Sequence, residues 1–353
     1  MTKVERVMAA IQHQTPDRVP TGEIHIQPGL CCRLLGKEYP QDYQHFERDA
    51  AVRKLLGMDV VNMGEWPEWE EGTTPAGERI VRTAYGQTCA VGAESRRILE
   101  PPVPIEEAES YRKPDSSRLT GEAVERFAKE TDLFVFGQIG GPVTQLDEMY
   151  PMEDYMVYCL TNPREIFSIS RKVMEYEVEK AKLFLEKGAH AILIGDDIAF
   201  NSGVFLPPAV MQRLVYPFYR WAIAKIREFR DVPIFLHSDG NLNGVLDQIV
   251  ACGFDGIQSL QPSAGMDIGR IKKQYGDRLC LWGNIDLNYV MSMASPEEVR
   301  RNVRETIEAA AGNGGHILST CNAMIDAIPE ENIYAMMEEA GAMVPAPLSG
   351  DTH

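Results

Sequence analysis

Residues 232–246 of this chain have the sequence VPIFLHSDGNLNGVL. The apolar start of this stretch is typical of a buried parallel strand, and a helix is predicted from Leu242. Because side chains alternate along a strand, His237 and Asp239 are expected to point the same way and Ser238 the other way. A titratable pair therefore lies where a strand ends, which is where parallel α/β proteins bind ligands. Taken alone, the pair has a simpler interpretation, a hydrogen-bonded core histidine followed by a helix cap.

The same alternation of strand and helix recurs along the chain. Strands are predicted at residues 21–26, 58–63, 133–139, 191–197, 232–237, 256–260, 279–285 and 316–321. Helices are predicted at residues 2–13, 43–56, 163–187, 207–229, 242–252, 267–275, 296–311 and 329–340. Eight strands with short connections and a final helix favour a (β/α)8 barrel, the TIM-barrel architecture, over an open doubly wound sheet.

We expect one α/β domain over residues 1–345 and a frayed tail at 346–353. Residues 73–92 alternate and turn like an antiparallel ribbon, which predicts an insertion after strand two. Pro217 lies inside the predicted helix 207–229 and is expected to kink it, because proline cannot complete the helical hydrogen bonds.

Charge excludes two classes of partner. The 353 residues include 35 Lys and Arg and 52 Asp and Glu, a formal net charge of −17 at pH 7. Nucleic acids and anionic membranes both favour a basic surface, so neither is expected as a partner. No apolar run approaches the roughly 18 residues of a membrane span, and no signal peptide is apparent. Seven scattered cysteines without a CxxC motif predict reduced thiols, and we expect a cytoplasmic protein.

Polar residues follow the apolar runs, and a barrel would gather them at one end. The candidate catalytic residues are His237, Asp239, Asp196 and Asp197. The candidate substrate-binding residues are His25, Glu65, Gln138, Gln258, Trp282, Asn284 and Asn322. Each aspartate has an alternative role as the N-cap of a following helix. Trp282, together with Trp66, Trp69 and Phe136, could line an apolar pocket, although packing is the alternative for such rings.

Metal binding is a further option. His237, Asp239 and Cys321 offer an imidazole, a carboxylate and a thiolate, a donor set that suits Zn²⁺ with one position left open. Metal-free acid–base chemistry by His237 and Asp239 is the competing hypothesis. The sequence contains no phosphate-binding loop, dinucleotide fingerprint, HExxH motif or nucleophile elbow.

The chain resembles the uroporphyrinogen decarboxylase superfamily, which also includes corrinoid-dependent methyltransferases. The resemblance extends over about residues 3–340. It rests on ERV at 5–7, PDRVP at 16–20, GGP at 140–142, LPP at 206–208, YPFY at 216–219, HSDGN at 237–241, LQPSAGMD at 260–267 and YGDRLCLWGNID at 275–286.

Two departures from the superfamily pattern bear on the reaction. Tetrapyrrole decarboxylases carry an arginine-rich RQAGRY segment near the first strand, whereas this chain has GEIHIQPG at 22–29. Thiol methyltransferases of the superfamily bind zinc through an HxC pair after strand five and a cysteine after strand eight. His237 and Cys321 stand at the matching places, but Asp239 replaces the middle cysteine. The resemblance thus implies zinc at His237, Asp239 and Cys321. A site for a harder metal ion and the absence of any metal are the alternatives.

The resemblance implies a methyltransferase of anaerobic one-carbon metabolism. It would move a methyl group from a small methylated donor, an aryl methyl ether (O-demethylation) or a methylamine, to the corrinoid of a partner protein. The poor leaving group needs a proton or a Lewis acid, which His237 and Asp239 would supply. The alternatives are a decarboxylase acting on a polycarboxylate, for which Arg33, Arg79, Arg82 and Arg213 are the candidate binding residues, and a non-catalytic binding protein. A homodimer is one assembly compatible with the chain.

Overall fold

The computed structural model of the chain describes residues 1–92 and 95–343, so the predicted tail at 346–353 lies outside the described residues. The chain forms two compact units. Unit 1 comprises Met1–Asn62, Arg126–Val135 and the residues from Asp255 onward, and unit 2 comprises Met63–Glu125 and Phe136–Phe254. The single domain expected over 1–345 stays a prediction. Within the described residues, no helix combines the length and apolar character that crossing a membrane requires.

Helices account for much of the described chain. The α-helices are α1 (Lys3–Ile11), α2 (Pro28–Leu35), α3 (Phe46–Leu55), α4 (Glu122–Glu130), α5 (Pro142–Met149), α6 (Met152–Thr161), α7 (Pro163–Glu186), α8 (Pro208–Leu214), α9 (Tyr216–Phe229), α10 (Leu246–Cys252), α11 (Ile268–Tyr275), α12 (Pro296–Ala310) and α13 (Glu330–Glu339). Short 3₁₀-helices lie at Ile105–Ser110, Ser116–Arg118 and Pro262–Ala264, and a π-helix at Leu287–Met291.

Seven strands form one sheet and four form another. The strands are β1 (Val60–Gly64), β2 (Glu68–Thr73), β3 (Arg79–Thr83), β4 (Thr88–Val91), β5 (Arg96–Glu100), β6 (Phe134–Gly140), β7 (Ala191–Gly195), β8 (Ala199–Phe200), β9 (Gly203–Val204), β10 (Ile234–Ser238), β11 (Gly256–Ser259), β12 (Cys280–Ile285) and β13 (His316–Thr320). The larger sheet has the order β1-β6-β7-β10-β11-β12-β13. The pairs β6–β7, β7–β10, β11–β12 and β12–β13 run parallel, which establishes a parallel α/β fold.

Seven of the eight strands predicted for the barrel are present, each within two residues of its expected bounds. Their apolar runs are buried because helices cover parallel sheets on their faces. The first predicted strand, 21–26, is not a regular strand. Thr21 and Ile26 make only isolated parallel bridges, to Leu318 and Met324. The Thr21 N–H donates to the Asp59 carboxylate at 2.9 Å and not to the backbone of a neighbouring strand.

Thr21 nevertheless contacts two strands of unit 1. Its carbonyl accepts hydrogen bonds from the backbone N–H groups of Asp59 and Val60 at 2.7 and 3.2 Å. The neighbouring Gly22 N–H donates to the Leu318 carbonyl in β13 at 3.1 Å. The segment around Thr21 therefore lies between the start of β1 and strand β13, which are the two ends of the seven-strand order.

Unit 2 contains the antiparallel sheet. Strands β2, β3, β4 and β5 pair in chain order, so this sheet occupies Glu68–Glu100 and is larger than the ribbon predicted at 73–92. All residues of β2 are exposed, whereas β4 is mostly buried.

The predicted helix 207–229 is two helices, α8 and α9. The break falls at Val215, with φ −119° and ψ −64°, and Pro217 occupies the first turn of α9. Proline favours this position because its missing N–H has no partner there in any helix, so the chain breaks before Pro217 instead of kinking at it. All seven cysteines are free and buried.

Candidate functional site

A cluster of one imidazole and two carboxylates lies at the carboxyl ends of two neighbouring strands of unit 2. Strand β7 ends at Gly195, which pairs with His237 in β10. Asp197 is the second residue after β7, and Asp239 is the first residue after β10. Asp197, His237 and Asp239 each offer a ligand atom, and these atoms all lie within 4.8 Å of one another. The cluster joins residues that are about 40 positions apart in sequence because parallel strands end at the same edge of a sheet.

Hydrogen bonds fix Asp197 at the centre of this cluster. Its Oδ1 atom accepts the backbone N–H of Asp239 at 2.9 Å and lies 3.8 Å from His237 Nε2. Its own backbone N–H donates to Thr144 Oγ1 at 2.8 Å. The Asp197 side chain is 48% exposed and the His237 side chain 12%, so the cluster has one solvent-accessible carboxylate beside a nearly buried imidazole.

Ser238 stabilises the turn that carries the cluster. Its hydroxyl oxygen accepts the Ile198 N–H at 3.0 Å, and the hydroxyl donates to the Asp239 carbonyl, also at 3.0 Å. Ser238 is buried, whereas His237 and Asp239 belong to the metal-compatible cluster. This arrangement agrees with the alternation of side chains along the strand.

Asp196 is fully buried and caps a helix, although not the one that follows it in sequence. Its Oδ1 atom accepts the backbone N–H groups of Val143 and Thr144, in the first turn of α5, at 2.9 and 2.7 Å. The Tyr219 hydroxyl donates to Oδ2. Burial raises the pKa of Asp196 to about 7 despite these three donors, and the charge of Asp197 adds to the rise. A catalytic role for Asp196 stays a prediction.

Gly141 permits the close approach of Asp196 to helix α5. A Cβ atom at Gly141 would lie 2.2 Å from Asp196 Cγ, and one at Gly140 would lie 2.3 Å from Gln145 Nε2. Both distances are far inside van der Waals contact. A larger residue at either position would therefore force the Asp196 or Gln145 side chain to move.

Helix α5 contributes two residues that sequence reasoning missed. The Thr144 hydroxyl oxygen accepts the Asp197 backbone N–H, and Asp147 lies one helical turn further along the same face. Asp147 is half-buried, and its Oδ1 atom has no hydrogen-bond partner within the described residues. Burial and the charge of Asp197 raise the pKa of Asp147 to about 6. Thr144 and Asp147 are three residues apart and follow the glycine pair, and this spacing is the sequence feature from which they could have been predicted.

The other predicted residues of unit 2 lie in separate environments. The Glu65 carboxylate accepts the backbone N–H groups of Thr120 and Gly121, just before helix α4. Gln138, in β6, is half-buried, and its amide would meet a Cβ atom at Gly195. Their roles in substrate binding stay predictions.

In unit 1, the polar residues that precede Cys321 form a buried cluster. The Glu23 carboxyl is fully buried and accepts the Thr320 N–H at 2.8 Å, and its other oxygen lies 2.6 Å from the Thr320 hydroxyl. Burial raises the pKa of Glu23 to about 7, although the hydrogen bonds with Thr320 and the buried guanidinium of Arg53 act in the opposite direction. Cys321 itself is 4% exposed. Its role as a metal ligand stays a prediction.

His25 and the remaining candidates of unit 1 are held by their neighbours. The His25 ring stacks on Tyr43 with a centroid separation of 4.0 Å. Burial and two arginines, Arg53 and Arg48, lower the pKa of His25 to about 3, so its imidazole is neutral near pH 7.

Three further candidates of unit 1 are almost completely buried. Gln258 and Trp282 have no exposed surface, and the Trp282 indole N–H donates to the Gly22 carbonyl at 2.8 Å. Asn284 is 5% exposed, and its amide donates to the Leu260 carbonyl at 3.0 Å. Asn322 is half-buried, and its side-chain oxygen accepts the Ala323 N–H. As substrate contacts these residues stay predictions.

The donor set of the unit 2 cluster fits a divalent metal ion. Imidazole nitrogen and carboxylate oxygen are both zinc ligands, and carboxylate oxygens also suit harder ions. Three ligand atoms within 4.8 Å of one another can share one ion and leave positions open. Asp197 was predicted as catalytic and not as a ligand, so the structure adds it to the possible metal ligands.

The fold and this cluster define a parallel α/β protein with a metal-compatible group of side chains where two strands end. Residues 79–343 match the family model of uroporphyrinogen decarboxylase (URO-D), so the chain belongs to this enzyme family, as the sequence resemblance predicted.

Two relatives match nearly the whole chain. Uroporphyrinogen decarboxylase of Alkalilimnicola ehrlichii is 26% identical and covers 97% of this chain and 95% of its own. Methylcobamide:CoM methyltransferase MtaA of Methanosarcina barkeri is 24% identical and covers 94% of this chain and 95% of its own. A solved methyltransferase from Methanosarcina mazei has the same fold, with a TM-score of 0.77 at 19% identity, over 97% of this chain and 98% of its own.

Proposed function

We propose that this protein is a corrinoid-dependent methyltransferase, built as a closed (β/α)8 barrel. It would move a methyl group from a small methylated donor to the corrinoid of a separate protein. The observation that carries the proposal is the cluster of Asp197, His237 and Asp239, since it combines a proton carrier with two carboxylates at one strand edge. The full-length similarity to a methylcobamide:CoM methyltransferase supports methyl transfer as the class of reaction.

His237 is the proposed proton donor. When the C–O or C–N bond of the donor breaks, the methyl group leaves to its acceptor and the remaining oxygen or nitrogen must take a proton. The His237 imidazole would supply that proton, and its Nε2 atom lies 3.8 Å from Asp197 Oδ1. The proton is replaced from solvent, which reaches Asp197.

In the alternative with a bound metal ion, His237, Asp197 and Asp239 would hold the ion, and the metal would act as the acid in place of the His237 proton. When bound, Zn²⁺ would supply Lewis acidity toward the leaving oxygen or nitrogen. The backbone N–H of Asp239 and the Thr144 hydroxyl orient the Asp197 carboxylate and backbone in either case. Such partners of a ligand set the geometry of a metal site.

The proposed donors are aryl methyl ethers and methylamines, and the proposed partner is a corrinoid protein. Aryl methyl ethers and methylamines both have leaving groups that need a proton or a Lewis acid, which the cluster offers. The proposed barrel closure is supported by the hydrogen bonds of the segment around Thr21 to β13 and to the start of β1. Assembly as a homodimer stays a hypothesis.

Decarboxylation is the second candidate, since a uroporphyrinogen decarboxylase matches nearly the whole chain. Such a reaction on a polycarboxylate needs unpaired arginines. Three of the four candidate arginines already form ion pairs within their own units. The pairs are Arg33 with Glu330, Arg79 with Glu70 and Arg82 with Glu71. These pairs would have to open before the three arginines could bind a polycarboxylate.

A donor panel distinguishes the two reactions. Purified protein, a reduced corrinoid protein and individual methoxyaromatics or methylamines are mixed, and the cobalt absorption spectrum is followed. We expect formation of methylated corrinoid with at least one donor. Release of CO₂ from uroporphyrinogen, without methylation of the corrinoid by any donor, would instead establish decarboxylation. Binding of donors without either reaction would indicate the non-catalytic alternative.

A further inference from the structure

A cleft lies in unit 2, beside the antiparallel sheet. It has a volume of about 480 Å³ and shares no residue with the Asp197, His237 and Asp239 cluster. The aromatic residues Trp69, Tyr85, Tyr111 and Tyr176 line it. Pockets of this size with aromatic walls are typical of small-molecule sites.

The cleft is basic although the protein is strongly acidic. Its lining includes the cations Arg82, Arg112, Lys113 and Arg118 and a single acid, Asp115. The whole chain has a formal net charge of −17. Cations gathered in a concave surface concentrate the local field and attract anions.

Two of the four cations are already neutralised. Arg82 donates to the Glu71 carboxylate, and Lys113 forms an ion pair with Glu179. Arg112 has no ion-pair partner within residues 1–92 and 95–343. This leaves Arg112 and Arg118 as the cations available to a ligand.

Arg118 and Trp69 form a surface suited to a planar ring. The guanidinium carbon of Arg118 lies 4.9 Å from the centre of the Trp69 ring, and its contact with Asp115 is long, at 3.9 Å. Trp69 is 39% exposed, so part of its ring surface is accessible to a ligand. A flat ligand could stack on either group.

The buried Tyr111 hydroxyl adds an independent observation. Tyr111 is 4% exposed, and its hydroxyl has no hydrogen-bond partner within the described residues. A buried polar group without a partner costs free energy of the order of 1–3 kcal/mol. Tyr111 is one of the residues that line the cleft, and a ligand that reached its hydroxyl would supply the missing hydrogen bond.

We propose that this cleft binds an anionic small molecule with a planar ring, of the chemical class of nucleotides and aryl phosphates. Arg112 and Arg118 contact the anionic group, and Trp69 stacks on the ring. The site is separate from the proposed methyl-transfer cluster and does not depend on that function.

ADP is a suitable probe because it combines a ring with phosphates, and pyrophosphate and adenosine supply the two parts separately. Calorimetric titrations of the full-length protein are made without divalent cations, so that a metal at the Asp197 cluster cannot bind the phosphates. We expect saturable binding of ADP, weaker binding of pyrophosphate and none of adenosine. Arg112→Ala and Arg118→Ala should each weaken ADP about five-fold, the effect of losing one exposed charge contact.

One further cleft variant and two controls complete the test. Trp69→Ala should weaken ADP but not pyrophosphate, Arg171→Ala on the exposed face of α7 should change neither, and His237→Ala should leave ADP binding intact. Absence of saturable ADP binding to the wild-type protein would overturn the proposal. So would ADP binding that none of the three cleft substitutions alters, or pyrophosphate binding as tight as that of ADP.

Discussion

Asp197 Oδ1 accepts a 2.9 Å hydrogen bond from the backbone N–H of Asp239, which ties the end of strand β7 to the end of strand β10. His237 Nε2 lies 3.8 Å from the same oxygen. The bond fixes a carboxylate beside the imidazole before any ligand arrives. Preorganisation of this kind lowers the cost of binding a metal ion or a substrate.

Asp197→Asn tests the charge of this carboxylate. The amide oxygen can still accept the Asp239 N–H, so the backbone geometry is kept while the anionic ligand is lost. We expect zinc affinity, measured by competition with a chelating dye, to fall by at least about ten-fold, the effect of altering even an outer-sphere partner. Asp231→Asn, at an exposed position of unit 2, is the matched control and should leave the affinity unchanged. Equal zinc binding by wild type and Asp197→Asn would rule out this carboxylate as a ligand.

Gly141→Ala tests the close packing of Asp196 on helix α5. The new Cβ atom would lie 2.2 Å from Asp196 Cγ, so the carboxylate or the helix must move. We expect the free energy of unfolding to fall by about 1–3 kcal/mol or more in urea denaturation. Gly269→Ala in α11 is the control, since its Cβ atom would make ordinary 3.5 Å contacts with Ala309 Cβ and Asp267 Oδ1. That substitution should stabilise the protein by about 0.5–1 kcal/mol; equal effects of the two would contradict the packing argument.

Tyr219→Phe removes the hydroxyl that donates to the buried Asp196 carboxylate. The loss of a donor to a buried group should lower the free energy of unfolding by about 1–3 kcal/mol. It should also raise the pKa of Asp196 further, because one interaction that favours the charged form is gone. Tyr289→Phe, at a tyrosine that is 57% exposed, should change stability by less than about 0.5 kcal/mol. Unfolding curves that coincide for the two variants would refute a stabilising role for the bond.

The buried Glu23 carboxyl is expected to make the folded protein less stable as the pH rises. The Thr320 hydroxyl oxygen lies within hydrogen-bond distance of both Glu23 Oε2 and the Asn322 carbonyl, yet a hydroxyl has a single proton. Both contacts are satisfied if the Glu23 carboxyl is protonated and donates to Thr320. Burial raises the pKa of Glu23 from 4.5 to about 7, which agrees with the protonated form.

The sign of the pH effect follows from this shift. The folded protein holds the Glu23 proton up to about pH 7, whereas the unfolded chain releases it near pH 4.5. The contribution of Glu23 to stability is therefore complete below pH 4.5 and declines up to about pH 7, by at most about 3 kcal/mol. Glu23→Gln copies the protonated acid and should remove this part of the pH dependence without loss of stability at pH 7. Urea denaturation from pH 5 to 8 measures it, and parallel pH profiles for variant and wild type would exclude a neutral Glu23.

Sequence patterns could predict the strand ends of the parallel sheet because their apolar runs are long and buried. They could also predict that His237 and Asp239 share one side, since a strand has a period of two. Asp147 escaped prediction because its relation to Asp197 depends on the packing of helix α5 against the end of β7. The irregular structure of residues 21–26 could not be predicted, because an extended, apolar sequence does not reveal whether its backbone forms the hydrogen bonds of a regular strand. The capping role of Asp196 toward α5 was missed for a related reason, since its partners precede it by about 50 residues.

The decisive measurement is the single-turnover rate of corrinoid methylation, with the most reactive methoxyaromatic or methylamine, for wild type and for His237→Ala. If His237 supplies the proton to the leaving group, the variant should be slower by about 10²-fold or more at unchanged donor affinity. A donor with an acidic leaving group, such as an activated aryl ether, should restore much of the lost rate. Methylation at the wild-type rate in the His237→Ala variant, or no methylation by the wild-type protein with any donor, would contradict methyl transfer at this cluster.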